Sequence, residues 1–169
     1  MIHFIDSILD KRDLCTLQKE CHNFKTSHPK NKNNQSSYNK MILNQNKISL
    51  FKEKLEKIVF EKINLEYNLI PNSSTWINCV DSESNKNDDF HVDTSDLSLL
   101  VYLNENFEGG ELEYKDENEN IKTYTPKTNS GLIINNKLLH RVLPVRSGLR
   151  FSLVCFFVNK NIKVKKTLL

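Results

Sequence analysis

Between residues 75 and 158 the chain is a succession of short strand-forming runs separated by turn signals. The runs fall at 75–80, 97–103, 111–115, 121–124, 132–134, 140–143 and 149–158. Short strands at this spacing predict an all-β sandwich or barrel and argue against alternating βαβ units. Gly109, Gly110 and Gly131 stand where turns or close backbone approaches are expected.

The N-terminal part reads differently. Residues 2–5 form a short apolar piece suited to an edge strand, and Asp10 can cap a helix through Cys21, because Leu14, Leu17 and Cys21 recur at helical spacing. Residues 25–45 are Lys-, Asn- and Ser-rich and read as a long surface loop. Ile48, Phe51, Leu55, Ile58, Val59 and Ile63 make an apolar stripe on a helix over about 49–63, a support that would press against a sheet. The tail 159–169 alternates Ile162 and Val164 with lysines, as an edge strand protected from pairing with other chains would. The 169 residues are expected to form one domain, with a helical support region over 1–67 and a β core over about 74–158.

Composition narrows the setting. A net charge of +3 is too small to argue for nucleic acid. Cys15, Cys21, Cys79 and Cys155 show no metal-ligand spacing, and Cys79 and Cys155 sit in apolar runs that suit buried free thiols. The N-terminus does not resemble a signal peptide, and no run approaches the ~18 apolar residues of a membrane span. An intracellular, cytoplasmic protein is expected.

Chemistry concentrates in a few places. His91 and Asp93 are separated by one residue and would share a face if extended. His140 follows 47 residues after Asp93, and Arg150 ten residues after that. Two imidazoles and one carboxylate are the ligand set of the facial triad that holds non-haem Fe(II) with open coordination positions. A hairpin turning at 144–148 would set His140 beside Arg150 and Ser152, which share a face of their strand. Arg150 lies in a strongly apolar run, and a buried guanidinium needs an anion partner. Taken singly, His91-x-Asp93 also suits a polar loop, and a lone His140 suits a hydrogen-bonded core position. His3, His22 and His28 have no partners at ligand spacing.

The segments His91-Val92-Asp93, Tyr102-Leu103-Asn104, Phe107-Glu108-Gly109-Gly110-Glu111-Leu112, Gly131-Leu132-Ile133-Ile134 and His140 through Leu153 agree in order and spacing with one family. The chain resembles the Fe(II)/2-oxoglutarate-dependent dioxygenases, in their prolyl 4-hydroxylase-like branch. The resemblance covers roughly residues 74–158 and implies a mainly β fold with supporting N-terminal helices, the double-stranded β-helix or jelly roll. It implies Fe(II) on His91, Asp93 and His140, and 2-oxoglutarate with its distal carboxylate on Arg150, Ser152 and Tyr102. Ascorbate is a further candidate cofactor. For Ser152 a small residue in a tight barrel remains the other reading, and for Tyr102 a core aromatic. The implied reaction hydroxylates a C–H bond, with succinate and CO2 as co-products, on a prolyl residue of a peptide or protein.

One departure bears on the substrate. Many such prolyl hydroxylases carry a second tyrosine about ten residues before the His-x-Asp pair, where this chain reads Asn78-Cys79-Val80-Asp81. Asn78 could take over a polar contact there. The acidic stretch 81–89 precedes the metal pair and would favour a basic peptide, or be a solvated loop. Lysyl residues, small molecules and methylated nucleic acid remain open as substrates. Nucleic acid is disfavoured, because demethylases of the superfamily place a second arginine further along. A non-enzymatic jelly-roll binding module is the alternative from another class.

Overall fold

A computed structural model describes residues 1–27, 39–43, 45–70, 75–83 and 88–160. Strand β1 (Ile2–Asp6) leads into helix α1 (Lys11–Ser27), strand β2 (Asn39–Ile42) and helix α2 (Gln45–Ile63). Nine strands follow: β3 (Tyr67–Leu69), β4 (Thr75–Asp81), β5 (Leu97–Tyr102), β6 (Phe107–Gly109), β7 (Leu112–Lys115), β8 (Ile121–Tyr124), β9 (Ser130–Asn135), β10 (His140–Val142) and β11 (Val145–Asn159).

The strands build two antiparallel sheets. The larger runs β1-β9-β5-β11-β4-β2, with β3 and β6 also pairing with β11, and the smaller runs β10-β7-β8. This mainly β arrangement with two helices is the double-stranded β-helix expected from the sequence. The 15-residue β11 is its axis: it pairs with β6 near its start, then lies between β4 and β5, and finally meets β3.

Alternation along the central strands divides the core in two. Ile77, Cys79, Leu99, Val101, Phe151, Leu153, Cys155 and Phe157 turn to the helix side, where they pack with Leu17 and Cys21 of α1 and Phe51, Leu55 and Val59 of α2. Leu100, Tyr102, Leu132 and Ile134 turn the other way, against Leu112 of the smaller sheet. All four cysteines are free, and Cys21, Cys79 and Cys155 are buried. Asp10 caps α1 as predicted, its Oδ1 accepting from Asp13 N at 2.9 Å. Helix α2 ends at Asn64, which has φ 56°, and the Asn64 N–H donates to Phe60 O.

Several expectations need correction. Helix α1 continues past Cys21 to Ser27, because Phe24 adds another turn of apolar contact. The segment 25–45 is not a continuous loop. It contains β2, which closes the larger sheet against β4, and the beginning of α2, while residues 28–38 and 44 lie outside the described set. The support region therefore contributes two strands to the sheet as well as two helices. The short strands β3 and β6 carried too little alternation to be read from sequence. Residues 161–169 of the tail and 84–87 of the acidic stretch lie outside the described residues.

Candidate metal centre

His91 and His140 face each other across an isolated antiparallel bridge, joined by His91 N to His140 O at 3.0 Å and His140 N to His91 O at 2.9 Å. Their ring centroids lie 4.6 Å apart. Asp93 completes the set from the loop that follows, so that a ligand atom from each of the three lies within 4.8 Å of the others. His140 Nε2 is 3.8 Å from Asp93 Oδ2. The bridge, which sequence did not reveal, joins two histidines 49 positions apart (140 − 91).

The other ring nitrogens are engaged. His91 Nδ1 lies 2.9 Å from Asp89 O, and His140 Nδ1 lies 2.9 Å from Leu138 O. A carbonyl can only accept, so each Nδ1 carries a proton, and the tautomer this fixes turns Nε2 to the shared space as the atom able to ligate. Burial depresses the His140 pKa, opposed by the Leu138 carbonyl and by Asp93, which favours the neutral imidazole. Asp93 is held as well. Ser98 Oγ donates to its Oδ2 at 2.5 Å, and Ser95 Oγ lies 3.1 Å from Ser98 Oγ. Ser98 follows the alternation that also turns Leu100 and Tyr102 to this side of β5, and a polar residue on that face is the signal that could have marked it. The donor set is two imidazole nitrogens and a carboxylate oxygen, which suits a divalent transition metal such as Fe(II).

The same cavity, about 160 Å3, reaches Arg150. Arg150 is 2% exposed. Its Nη1 donates to Gly110 O at 3.4 Å and its Nη2 to Ser152 Oγ at 3.2 Å. Gly110 has φ +67°, and a Cβ there would lie 2.9 Å from Arg150 Cδ, so the glycine makes room for the guanidinium stem. The Tyr102 ring centre is 6.0 Å from the guanidinium carbon. Tyr102 is fully buried, and its Oη makes no hydrogen bond among the described residues. Burial pushes its pKa up to about 12 against the pull of Arg150, so the phenol stays a donor. Arg150 lines one small cavity with the two imidazoles and Asp93, and the Ser152 hydroxyl and the Tyr102 phenol lie beside its guanidinium, a set that fits an anionic chelate such as 2-oxoglutarate.

The predicted hairpin is not formed. β10 pairs with β7 in the smaller sheet, while Val145 begins β11 against β6, with a bulge between Val145 and Ser147. Pro144 separates the two sheets, so His140 faces Arg150 across the cavity instead of lying beside it. The His91-x-Asp93 pair is likewise not in a strand beyond its single bridge. Asp81 of the acidic stretch is paired with Lys25 at 3.1 Å, which offsets part of the charge expected near the mouth. A larger hollow of about 650 Å3 lies on the helix side, between His22 and Asn104, and contains none of the candidate ligands.

A search of curated proteins finds no significant match. Solved structures give the fold. A prolyl hydroxylase from Trichoplax adhaerens, in complex with a hypoxia inducible factor oxygen degradation domain peptide fragment, superposes with TM-score 0.67 at 14% identity, covering 94% of this chain and 83% of that one. The viral collagen prolyl hydroxylase from Paramecium Bursaria Chlorella virus-1, in its 2OG complex, gives 0.66 at 16%, covering 92% and 94%. The non-haem alpha ketoglutarate dependent epimerase SnoN, from nogalamycin biosynthesis, gives 0.73 at 9%, covering 94% and 77%. The family model described as the 2OG-Fe(II) oxygenase superfamily matches residues 76–158, the span holding both histidines, Asp93, Tyr102, Arg150 and Ser152. The matched span, the fold and the site geometry agree: residues 76–158 of this chain belong to the 2OG-Fe(II) oxygenase superfamily.

Proposed function

We propose that the protein is an Fe(II)- and 2-oxoglutarate-dependent dioxygenase that hydroxylates a C–H bond on a prolyl residue of a peptide or protein. The observation that carries the reading is the convergence of His91, Asp93 and His140 on one space, with buried Arg150 in the same cavity. In this reading the two Nε2 atoms and the Asp93 carboxylate hold Fe(II). Arg150, Ser152 and Tyr102 bind the far carboxylate of 2-oxoglutarate, which fixes the length and direction of the molecule. Fe(II) with bound 2-oxoglutarate supplies the oxidising chemistry, one oxygen atom of O2 entering the substrate and the other succinate, with release of CO2. Ascorbate would serve as the reductant that keeps the iron ferrous. The apolar walls contributed by Leu100, Val142 and Val154 exclude water from the reacting atoms.

Prolyl hydroxylases among the structural neighbours, one of them with a peptide bound, support a peptide substrate. The cavity lining supports it too, because Trp76 and Phe156, with ring centroids 5.2 Å apart, add aromatic surface that suits an apolar ring, with Lys40 Nζ 4.2 Å from the Trp76 ring centre. An epimerase among the neighbours keeps small-molecule oxidation as the second reading. Free cysteines fit action in a reducing, intracellular compartment. Anaerobic addition of Fe(II) and 2-oxoglutarate should produce the visible metal-to-ligand charge-transfer band. Prolyl peptides should then raise succinate release under O2 and gain one oxygen by mass spectrometry. Absence of the band would remove the dioxygenase reading, and a band without peptide oxidation would remove only the substrate.

A further inference from the structure

Strand β4 contributes Trp76 and Asn78 to the wall of the metal-site cavity. Trp76 Nε1 donates to Asn78 Oδ1 at 2.9 Å. A carboxamide has one acceptor oxygen and an NH2 group with two donors, so engaging the oxygen decides which way round the group sits. The Nδ2 hydrogens are thereby turned from the indole, and among the described residues they reach no acceptor. An indole N–H is a donor only, so this orientation is enforced by chemistry and not by packing alone.

The register says what those donors face. Asn78 is directly opposite Ser152, and Ser152 is directly opposite Tyr102. Opposed residues on antiparallel strands place their Cβ atoms about 4.5–5.5 Å apart. An amide, a hydroxyl and a phenol therefore form one polar row across β4, β11 and β5, with Arg150 two residues along β11 on the same face. The next row, Trp76, Val154 and Leu100, offers no side-chain acceptor. Ser152 Oγ already accepts from Arg150, and its own proton is left to donate. Asn78 and Arg150 both line the metal-site cavity, and each polar group of the row can donate a hydrogen on the face they share, which is the arrangement an anion requires.

The geometry points to Asn78 as a 2-oxoglutarate-binding residue, kept in its donating orientation by Trp76. This rests on the dioxygenase reading above and adds a donor from β4 on the strand where the second family tyrosine is missing. The distinguishing variant is Asn78→Asp. It keeps the volume and an acceptor for Trp76 Nε1, but sets a carboxylate against a dianion where a donor stood.

The experiment titrates 2-oxoglutarate into anaerobic Fe(II)-loaded protein, reading the charge-transfer band, with Mn(II) affinity and thermal midpoint measured alongside. Asn78→Ala should weaken 2-oxoglutarate by about tenfold, the loss of one donor to a charged acceptor. Asn78→Asp should weaken it further, and Trp76→Phe, which frees the amide to rotate, by roughly a few-fold. Mn(II) affinity should stay within about twofold of wild type in all three. An Asn78→Asp protein that binds 2-oxoglutarate as tightly as wild type would overturn the assignment, as would a parallel loss of Mn(II) affinity, which marks collapse of the cavity. Failure of the wild-type protein itself to bind 2-oxoglutarate would instead overturn the functional reading beneath it.

Discussion

Tyr102→Phe should push two measurements in opposite directions. The phenol is fully buried and its oxygen makes no hydrogen bond among the described residues. An unpaired buried hydroxyl costs about 1–3 kcal/mol, and part of any gain from deleting it is lost to the small void left behind. A net stabilisation of about 1 kcal/mol follows for the protein without 2-oxoglutarate. For a chain of this size that is a rise in thermal midpoint of roughly 2–4 °C. With 2-oxoglutarate bound the sign reverses. Burial keeps the phenol protonated, with its pKa up at about 12, and its hydrogen is then donated to a carboxylate. A bond to a charged acceptor contributes about 1.5–3 kcal/mol, so the variant should bind 2-oxoglutarate about 10- to 150-fold more weakly. Differential scanning fluorimetry of the Mn(II)-loaded protein, with and without 2-oxoglutarate, reads both effects in one plate. A variant with a lowered midpoint in the absence of 2-oxoglutarate and unchanged affinity for it would refute the reasoning. It would place Tyr102 in the core and not in the anion pocket.

Four further outcomes are expected. Ser98→Ala should weaken Mn(II) or Co(II) binding by about 10- to 100-fold, because Asp93 loses the hydroxyl that orients it, and Ser98→Thr should restore most of the loss; calorimetric titration reads both. His140→Ala should abolish tight metal binding and 2-oxoglutarate turnover, and iron-dependent succinate formation in that variant would count against the ligand set. Gly110→Ala should lower stability by about 1–2 kcal/mol in chemical denaturation and weaken 2-oxoglutarate, since the new methyl meets both a positive φ and the Arg150 stem. Lys54 bridges Asp10 and Asp13 at 2.6 and 2.8 Å, tying α2 to the start of α1. The side-chain hydrogen bond from Lys54 is the main cause that brings the Asp10 pKa down from 3.8 to about 2. A carboxylate with a depressed pKa stabilises the fold above its unfolded value and loses that contribution as pH falls through the folded one. Lys54→Met should therefore be less stable than wild type near neutrality, with the difference closing as pH drops from about 3.8 toward 2.

The β core was legible because strand periodicity is local, and so were the caps and stripes of the helices. Seven strand-forming runs were recognisable since each holds enough alternating apolar residues to be read without its neighbours. Tyr67–Leu69 and Phe107–Gly109 were not, being three residues long and strands only because β11 pairs with them. Residues 39–42 are too short a run to stand out from the Lys-, Asn- and Ser-rich segment around them, and their extended form comes from β4 beside them. The site divides in the same way. His91, Asp93, His140 and Arg150 stand out as residue types in a spacing. The bridge between the histidines, the donor behind Asp93 and the orientation of Asn78 are pairings at a distance, which one-dimensional order does not encode. The predicted hairpin failed for this reason: Pro144 suggested a tight return, but the chain passes from one sheet to the other.

The position of β11 has a consequence for how the protein comes into being. On a ribosome, β4 and β5 emerge well before the strand that must lie between them, and neither can complete its ladder with the other. Closure waits for the last long segment, whose contacts are mostly distant in sequence and therefore slow to form. Because Arg150 and Ser152 ride on that segment, the proposed anion pocket is built in the same event that completes the larger sheet. A nascent chain would hold no half-made site, and the maturing protein acquires the proposed pocket and its cooperative stability together.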